Sequence, residues 1–290
     1  MIATSSGLRP KDLIADSPEL GSPPLVYRQL MEVINHPRGG AGDIANVIRQ
    51  DTALTARLLK LVNSAFFAFP RKIETVSQAV SVVGTSQVRD LALATSVTDL
   101  FKDVPSELID VEGFWKHSLA CGVGARVIAG LRNEANVERF FVAGILHDVG
   151  RLVLLLRAPE EARTILQRAR ERGSLLFEAE REATGFDHGR IGGALMDAWT
   201  MPESLRESIR LHHEPAKAER FPVETATVHV ADILANALEL GHGGERFVPP
   251  ISAGAWAKLG VDPQMIGFVV EDIDRQYQAS AHLLGLAVEE

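Results

Sequence analysis

Apolar residues in this chain recur at intervals of three and four and almost nowhere at intervals of two, so helices are the elements able to bury them on one side. Leu54, Leu58, Leu61 and Val62 share a helical face, as do Val88, Leu91 and Thr95, then Ala120, Gly124 and Val127, and later Leu205 and Ile209. The predicted fold class is all-α. Polar residues punctuate these runs. Asp43 and Asp51 are placed to cap helices over 44–50 and 52–63, Ser77 to open a short helix ending at Gly84, and Thr85 to open the next. Thr200-Met201-Pro202-Glu203 reads as a capping box with proline in the first turn, starting the helix that leads to His212 and His213.

A length of 290 residues, 46% of them hydrophobic and 23% charged, supplies a core large enough for two helical domains. Residues 1–24, with Pro18, Pro23 and Pro24, read as an irregular lead-in. Short, closely spaced helices fill 25–105, and Asp103-Val104-Pro105-Ser106 breaks the pattern. Longer helices occupy 106–290, interrupted by the Gly/Pro-rich loop from Gly241 to Pro250. With 30 Lys+Arg against 38 Asp+Glu, the net charge of −8 argues against a nucleic-acid polymer as partner, since such binding rests on clustered cations. Cys121 is the single cysteine, which excludes an internal disulfide and a thiolate metal cluster. The first residues lack the basic flank and apolar run of a secretory signal, and no apolar stretch approaches the ~20 residues of a membrane span. Those features predict a cytoplasmic chain that does not cross a membrane.

Histidine placement sets the second half apart. Of nine histidines only His36 precedes residue 105. The rest include His117, His147 beside Asp148, His188, the His212-His213 pair, and His229 one turn before Asp232. Imidazole and carboxylate are the ligand types that suit Zn, Fe, Mn or Ni. His147-Asp148 ends an apolar run just before Gly150, where a helix end frees both side chains to converge. His188 stands before Gly189, Gly192 and Gly193, which let another backbone approach. Each residue also has a plainer reading: an isolated histidine is more often packed or solvated than metal-bound, and His212-His213 fits an exposed helix end.

The order His117, His147-Asp148, Asp232 resembles the H…HD…D signature of the HD superfamily of metal-dependent phosphohydrolases. The N-terminal half is more specific. Ile48-Arg49-Gln50-Asp51-Thr52-Ala53-Leu54-Thr55-Ala56-Arg57-Leu58-Leu59-Lys60-Leu61-Val62-Asn63-Ser64-Ala65-Phe66-Phe67, followed by Ile73-Glu74-Thr75-Val76-Ser77-Gln78-Ala79-Val80 and Val83-Gly84, is similar to the hallmark of the HDOD domain. Gly144-Ile145-Leu146-His147-Asp148-Val149-Gly150 and Ala198-Trp199-Thr200-Met201-Pro202 fit the same pattern.

The resemblance implies an N-terminal helical lobe packed on an HD-type helical domain with a C-terminal extension. It implies one or two divalent ions, held by His117, His147, Asp148 and Asp232, with His188, His212 and His213 resembling the histidines that extend the site in HD-GYP-type members. It further implies a bacterial signalling or regulatory protein acting through signalling-protein or small-ligand contacts, without efficient catalysis. The alternative is an active phosphohydrolase on a nucleotide or cyclic nucleotide. In that case Asp148 would bridge the metals and Arg151 would clamp a substrate phosphate, unless Arg151 is a solvated helix-end charge. His212-His213 is followed by Glu214-Pro215-Ala216-Lys217, with no Gly-Tyr-Pro turn, and Arg151 replaces the lysine usual in HD-GYP members, so cyclic di-GMP hydrolysis is disfavoured. Phe66, Phe67 and Phe69 read as apolar residues joining the two lobes, and Gln50-Asp51 as a helix junction.

Overall fold

The computed structural model describes residues 7–15, 17, 19–63, 67 and 69–284, the last four of these by backbone alone. Among them the secondary structure is helical and no strand occurs. The lead-in carries α1 (Asp12–Ala15), and the first lobe contains α2 (Leu25–Asn35), α3 (Ala41–Arg49), α4 (Thr52–Val62), α5 (Val76–Val83) and α6 (Thr85–Ser96). A 3-10 turn, Val97–Phe101, leads to the second lobe. There follow α7 (Val111–Leu131), α8 (Val137–Leu146), α9 (Val149–Arg157), α10 (Pro159–Arg172), α11 (Leu176–Thr184), α12 (His188–Ala198), α13 (Glu203–Leu211) and α14 (Pro222–Ala237). The last two helices are α15 (Ala253–Leu259) and α16 (Ile266–Leu284).

Local capping explains the junction between α3 and α4. The Asp51 carboxylate accepts the Leu54 N–H at 2.9 Å, satisfying a donor with no partner inside the helix. Leu54, Leu58, Leu61 and Val62 then form the buried face read from the sequence. At the far end Asn63 donates to the carbonyls of Leu59 and Ile73 and accepts the Ile73 N–H, so one side chain ties the helix end to the strand of chain ten residues on. Three expected caps differ. Asp43 lies at the third position of α3 and reaches back to the Gly40 N–H. Thr75, not Ser77, caps α5, in a box with Gln78. Thr200 adopts a left-handed backbone (φ 55°) and α13 starts after Pro202 without a side-chain cap.

The two lobes share one hydrophobic core. Helix α6 packs on α8, and α16 folds back across α7 and α4. Phe67 stacks on Phe69 at 5.7 Å and lies under the Arg126 guanidinium of α7, which places it between the lobes; Phe66 lies outside the described residues. The lead-in is partly ordered by the second lobe: α1 contacts α9 and α12, Leu13, Ile14 and Leu20 are buried, and the Trp199 indole donates to the Leu20 carbonyl at 2.8 Å. No helix of the described residues is long and apolar enough to cross a membrane.

One close approach positions the histidine cluster. A Cβ on Gly150 would lie 2.0 Å from the His188 carbonyl oxygen and 2.4 Å from the Gly192 nitrogen, so glycine lets the backbones of α9 and α12 touch. That contact sets His188 against Asp148, although 40 residues of sequence separate them.

Candidate metal centre

Helix ends aim most of the cluster. His147 and Asp148 occupy the corner between α8 and α9, His188 opens α12, and His212-His213 follow α13; His117 and Asp232 come from the middles of α7 and α14. The structure brings all seven expected ligand residues together. His117, His147, His188 and His212 are each 0% exposed, Asp148 3% and Asp232 5%. His213 is half-buried, its ring stacked on Phe177 at 4.2 Å. The exposed-helix-end reading of the pair therefore fails for His212.

Two groups form around one shared carboxylate. His117, His147 and Asp148 make the first, and Asp148, His188, His212 and His213 the second. Asp232 closes the first, its Oδ1 3.1 Å from His117 Nε2 and 3.5 Å from His147 Nε2. Asp148 Oδ1 sits 3.3 Å from His147 Nε2, 2.8 Å from His188 Nε2 and 3.6 Å from His212 Nε2.

Surrounding groups fix which ring nitrogen faces inward. His147 Nδ1 and His212 Nδ1 each donate to the carbonyl three residues earlier, Gly144 and Ile209, at 2.7 Å. His188 Nδ1 donates to Glu180 at 2.6 Å. In all three Nε2 faces the centre, the arrangement that metal-binding histidines require; it is unpartnered in His147 and His212, and in His188 it lies 2.9 Å from His213 Nε2. His147 Nε2, His212 Nε2 and Asp148 Oδ1 are buried and have no hydrogen-bond partner. Buried, unpartnered electron-pair donors facing one another are costly, and a divalent cation satisfies them together. The residues present therefore fit a metal of the nitrogen- and oxygen-binding class.

Charge distribution agrees. Burial opposes ionisation of Asp148, yet Arg151, His147 and His188 hold its pKa well below the ordinary carboxylate range. Burial also opposes ionisation of Asp232, and the hydrogen-bonded His117 and the adjacent His147 hold it low in turn. Burial and Arg151 lower His188, but Glu180 and Asp148 outweigh them and bring it to about 9. Burial lowers the pKa of His212, and burial together with the neighbouring His212 and His188 lowers that of His213.

Three residues around the site were not read from the sequence, and of the two readings of Arg151 the solvated one fails. Arg151 is 4% exposed and not a solvated helix-end charge. It donates to Asp148 Oδ2 at 2.9 Å and to the Gly243 carbonyl, and its Nη2 lies 3.2 and 3.3 Å from the ring nitrogens of His188. Glu180, 1% exposed, orients His188 through both its ring and its backbone N–H. Asn236 donates to Asp232 Oδ1 at 2.8 Å. Gly243 covers the centre: a Cβ there would meet Asp148 Oδ2 at 2.8 Å, Arg151 Nη1 at 2.9 Å and His117 Cδ2 at 3.2 Å, so only glycine permits the loop this close. Glu180 and Asn236 are eight and four residues from a ligand, but no spacing rule marked them. His229 lies outside the two ligand groups; it donates to the His212 carbonyl and accepts the Ser252 N–H.

Comparison with known proteins follows the same lines. The HDOD domain profile matches residues 20–215. A Treponema pallidum (strain Nichols) protein of uncharacterised function is 28% identical over 230 residues, 79% of this chain; the chain spans only 44% of that relative's length. An HDOD domain protein of unknown function from Geobacter sulfurreducens shares the fold at a TM-score of 0.78 and 24% identity, with 94% of this chain and 96% of that one covered. A candidate phosphohydrolase from Shewanella amazonensis SB2B matches at 0.73 and 25% identity, covering 94% of this chain and 97% of that one. With a profile match over most of its length, an all-helical fold shared with an HDOD structure and the family's hallmark residues in place, the chain belongs to the HDOD domain family.

Proposed function

We propose that this chain is a regulatory module of bacterial signalling, in which a buried metal centre fixes the arrangement of the helices and contacts with signalling proteins or a small ligand carry the output. The observation that supports this reading is closure of the centre. Its fully buried histidines and both carboxylates lie beneath Gly243, and Arg151 takes the second oxygen of Asp148. Hydrolysis by a metal-bound water needs an open coordination position and room for a phosphate, whereas structural metal sites are closed. Cytoplasmic placement, with neither a membrane nor a nucleic-acid polymer as partner, accompanies this proposal.

The shared carboxylate favours a second reading. One aspartate between two ligand groups is the geometry of a bridged pair that activates water, and the structural likeness to a candidate phosphohydrolase points the same way. In that reading Asp148 would bridge and Arg151 would bind phosphate after the loop opens, on a nucleotide or cyclic nucleotide.

The test is elemental analysis of untagged protein beside Asp148→Ala, joined to a phosphate-release assay over nucleotides and cyclic nucleotides. The regulatory reading expects metal lost in the variant and no turnover above buffer. Turnover abolished by Asp148→Ala would establish the hydrolase instead, and absence of metal under every loading condition would refute both.

A further inference from the structure

The buried charge around the centre can be counted. Asp148, Asp232 and Glu180 supply three carboxylates and Arg151 one cation, leaving a net −2 with the rings neutral, the form that a divalent ion bound beside them favours over the protonated one. Nearby Asp187 is paired with Arg181 at 2.5 Å, and Glu245 is half-buried at the rim, where it accepts the Leu176 N–H. One divalent ion cancels −2. Two would leave a buried excess of +2, which a site cut off from water does not tolerate well.

Geometry points in the same direction. A carboxylate shared by two ions commonly offers one oxygen to each, but Asp148 Oδ2 is already engaged by Arg151 at 2.9 Å. The same guanidinium lies against both nitrogens of His188, a member of the second ligand group, and is anchored behind by the Gly243 carbonyl. The first group is the more negative, because Asp232 faces His117 and His147 there.

We propose that Arg151 takes the charge role of a second metal ion, so that the chain binds one divalent cation, at His117, His147, Asp148 and Asp232, and the His188, His212 and His213 face opens to a second only when Arg151 is removed. This rests on the metal-centre reading above. It assigns the arginine a function distinct from phosphate binding: it keeps the site at one ion.

The experiment uses the untagged full chain, stripped with chelator and reloaded with Mn2+, with stoichiometry from elemental analysis and the spin state from electron paramagnetic resonance. Wild type is expected to hold one ion per chain with the spectrum of isolated Mn2+. Arg151→Gln is expected to hold two, with the spectrum of an exchange-coupled pair. Should Arg151→Gln fail to fold, His213→Gln and Asp232→Asn provide the second line: the first keeps the single ion and the second loses it. Two ions in wild type, one in a folded Arg151→Gln, or loss of the ion in His213→Gln overturns the proposal and leaves the metal centre standing. No ion in wild type overturns both.

Discussion

Replacing Gly150 by alanine tests whether backbone contact between α9 and α12 builds the metal centre. The new methyl would stand 2.0 Å from the His188 carbonyl oxygen, whereas ordinary contact begins at 3.4 Å, so the helices must separate by about 1.4 Å. Backbone atoms cannot rotate away as a side chain can. Overpacking against yielding side chains costs about 1–3 kcal/mol, and against two fixed backbones the loss should be about 3 kcal/mol or more. At about 2 °C per kcal/mol for a chain of this size, Tm should fall by about 6 °C or more. Asp148 stands two residues before Gly150 and moves with this contact, and metal–ligand distances tolerate about 0.2 Å, so metal affinity should fall with stability. Gly130→Ala is the control: nothing lies within 4 Å of its methyl, and alanine within a helix should stabilise by about 0.5–1 kcal/mol. Both substitutions restrict the unfolded chain equally, so their difference isolates the clash. Melts followed by far-ultraviolet circular dichroism, with elemental analysis of the same samples, provide the readout. A Gly150→Ala protein that melts with wild type and retains its metal would refute the argument.

Glu180→Gln should lower the pKa of His188 in metal-free protein by removing the carboxylate that raises it, which nuclear magnetic resonance titration of the ring would measure; an unchanged pKa would remove Glu180 from the site. In metal-free protein His188 titrates at about 9 and His147 well above its ordinary value. A histidine whose pKa is raised on folding stabilises fully below its unfolded pKa of about 6.5 and loses that contribution as pH rises. The metal-free Tm should therefore decline between pH 6.5 and about 9, whereas metal binding, which needs deprotonated rings, should strengthen across the same interval and release protons. A flat metal-free Tm over that window would contradict the assignment. Asp51→Ala should cost about 1 kcal/mol by removing the cap of α4, and a melt superimposing on wild type would deny that role.

The helical class was legible because apolar periodicity and capping act within one or two turns, as the buried faces of α4, α6 and α13 show. Caps at Asp43, Ser77 and Thr200 were misplaced by two or three residues because each has a competing polar neighbour or backbone conformation that chain direction alone does not rank. Ligand residues were legible by type and order, since nitrogen and oxygen donors at helix ends carry a chemical signature. Their convergence, and the burial that distinguishes ligands from solvated histidines, came from helix packing: the backbone contact at Gly150 for His188 against Asp148, and the contacts of α7, α8, α13 and α14 for the others.

By itself the sequence determined an all-α chain of the HDOD pattern whose metal, if bound, must sit on histidine and carboxylate without sulfur. Only the tertiary structure decided that Arg151 lies inside the centre, that Glu180 and Asn236 orient its ligands, and that Gly243 covers it. The physical reason is range. Periodicity and capping are short-range interactions written in neighbouring residues, whereas burial of a charge depends on which distant backbones pack around it. Arg151 illustrates the difference: three residues after Asp148 on a helix it could equally have faced water, and Gly243, 92 residues away, with Glu180 and His188 encloses it.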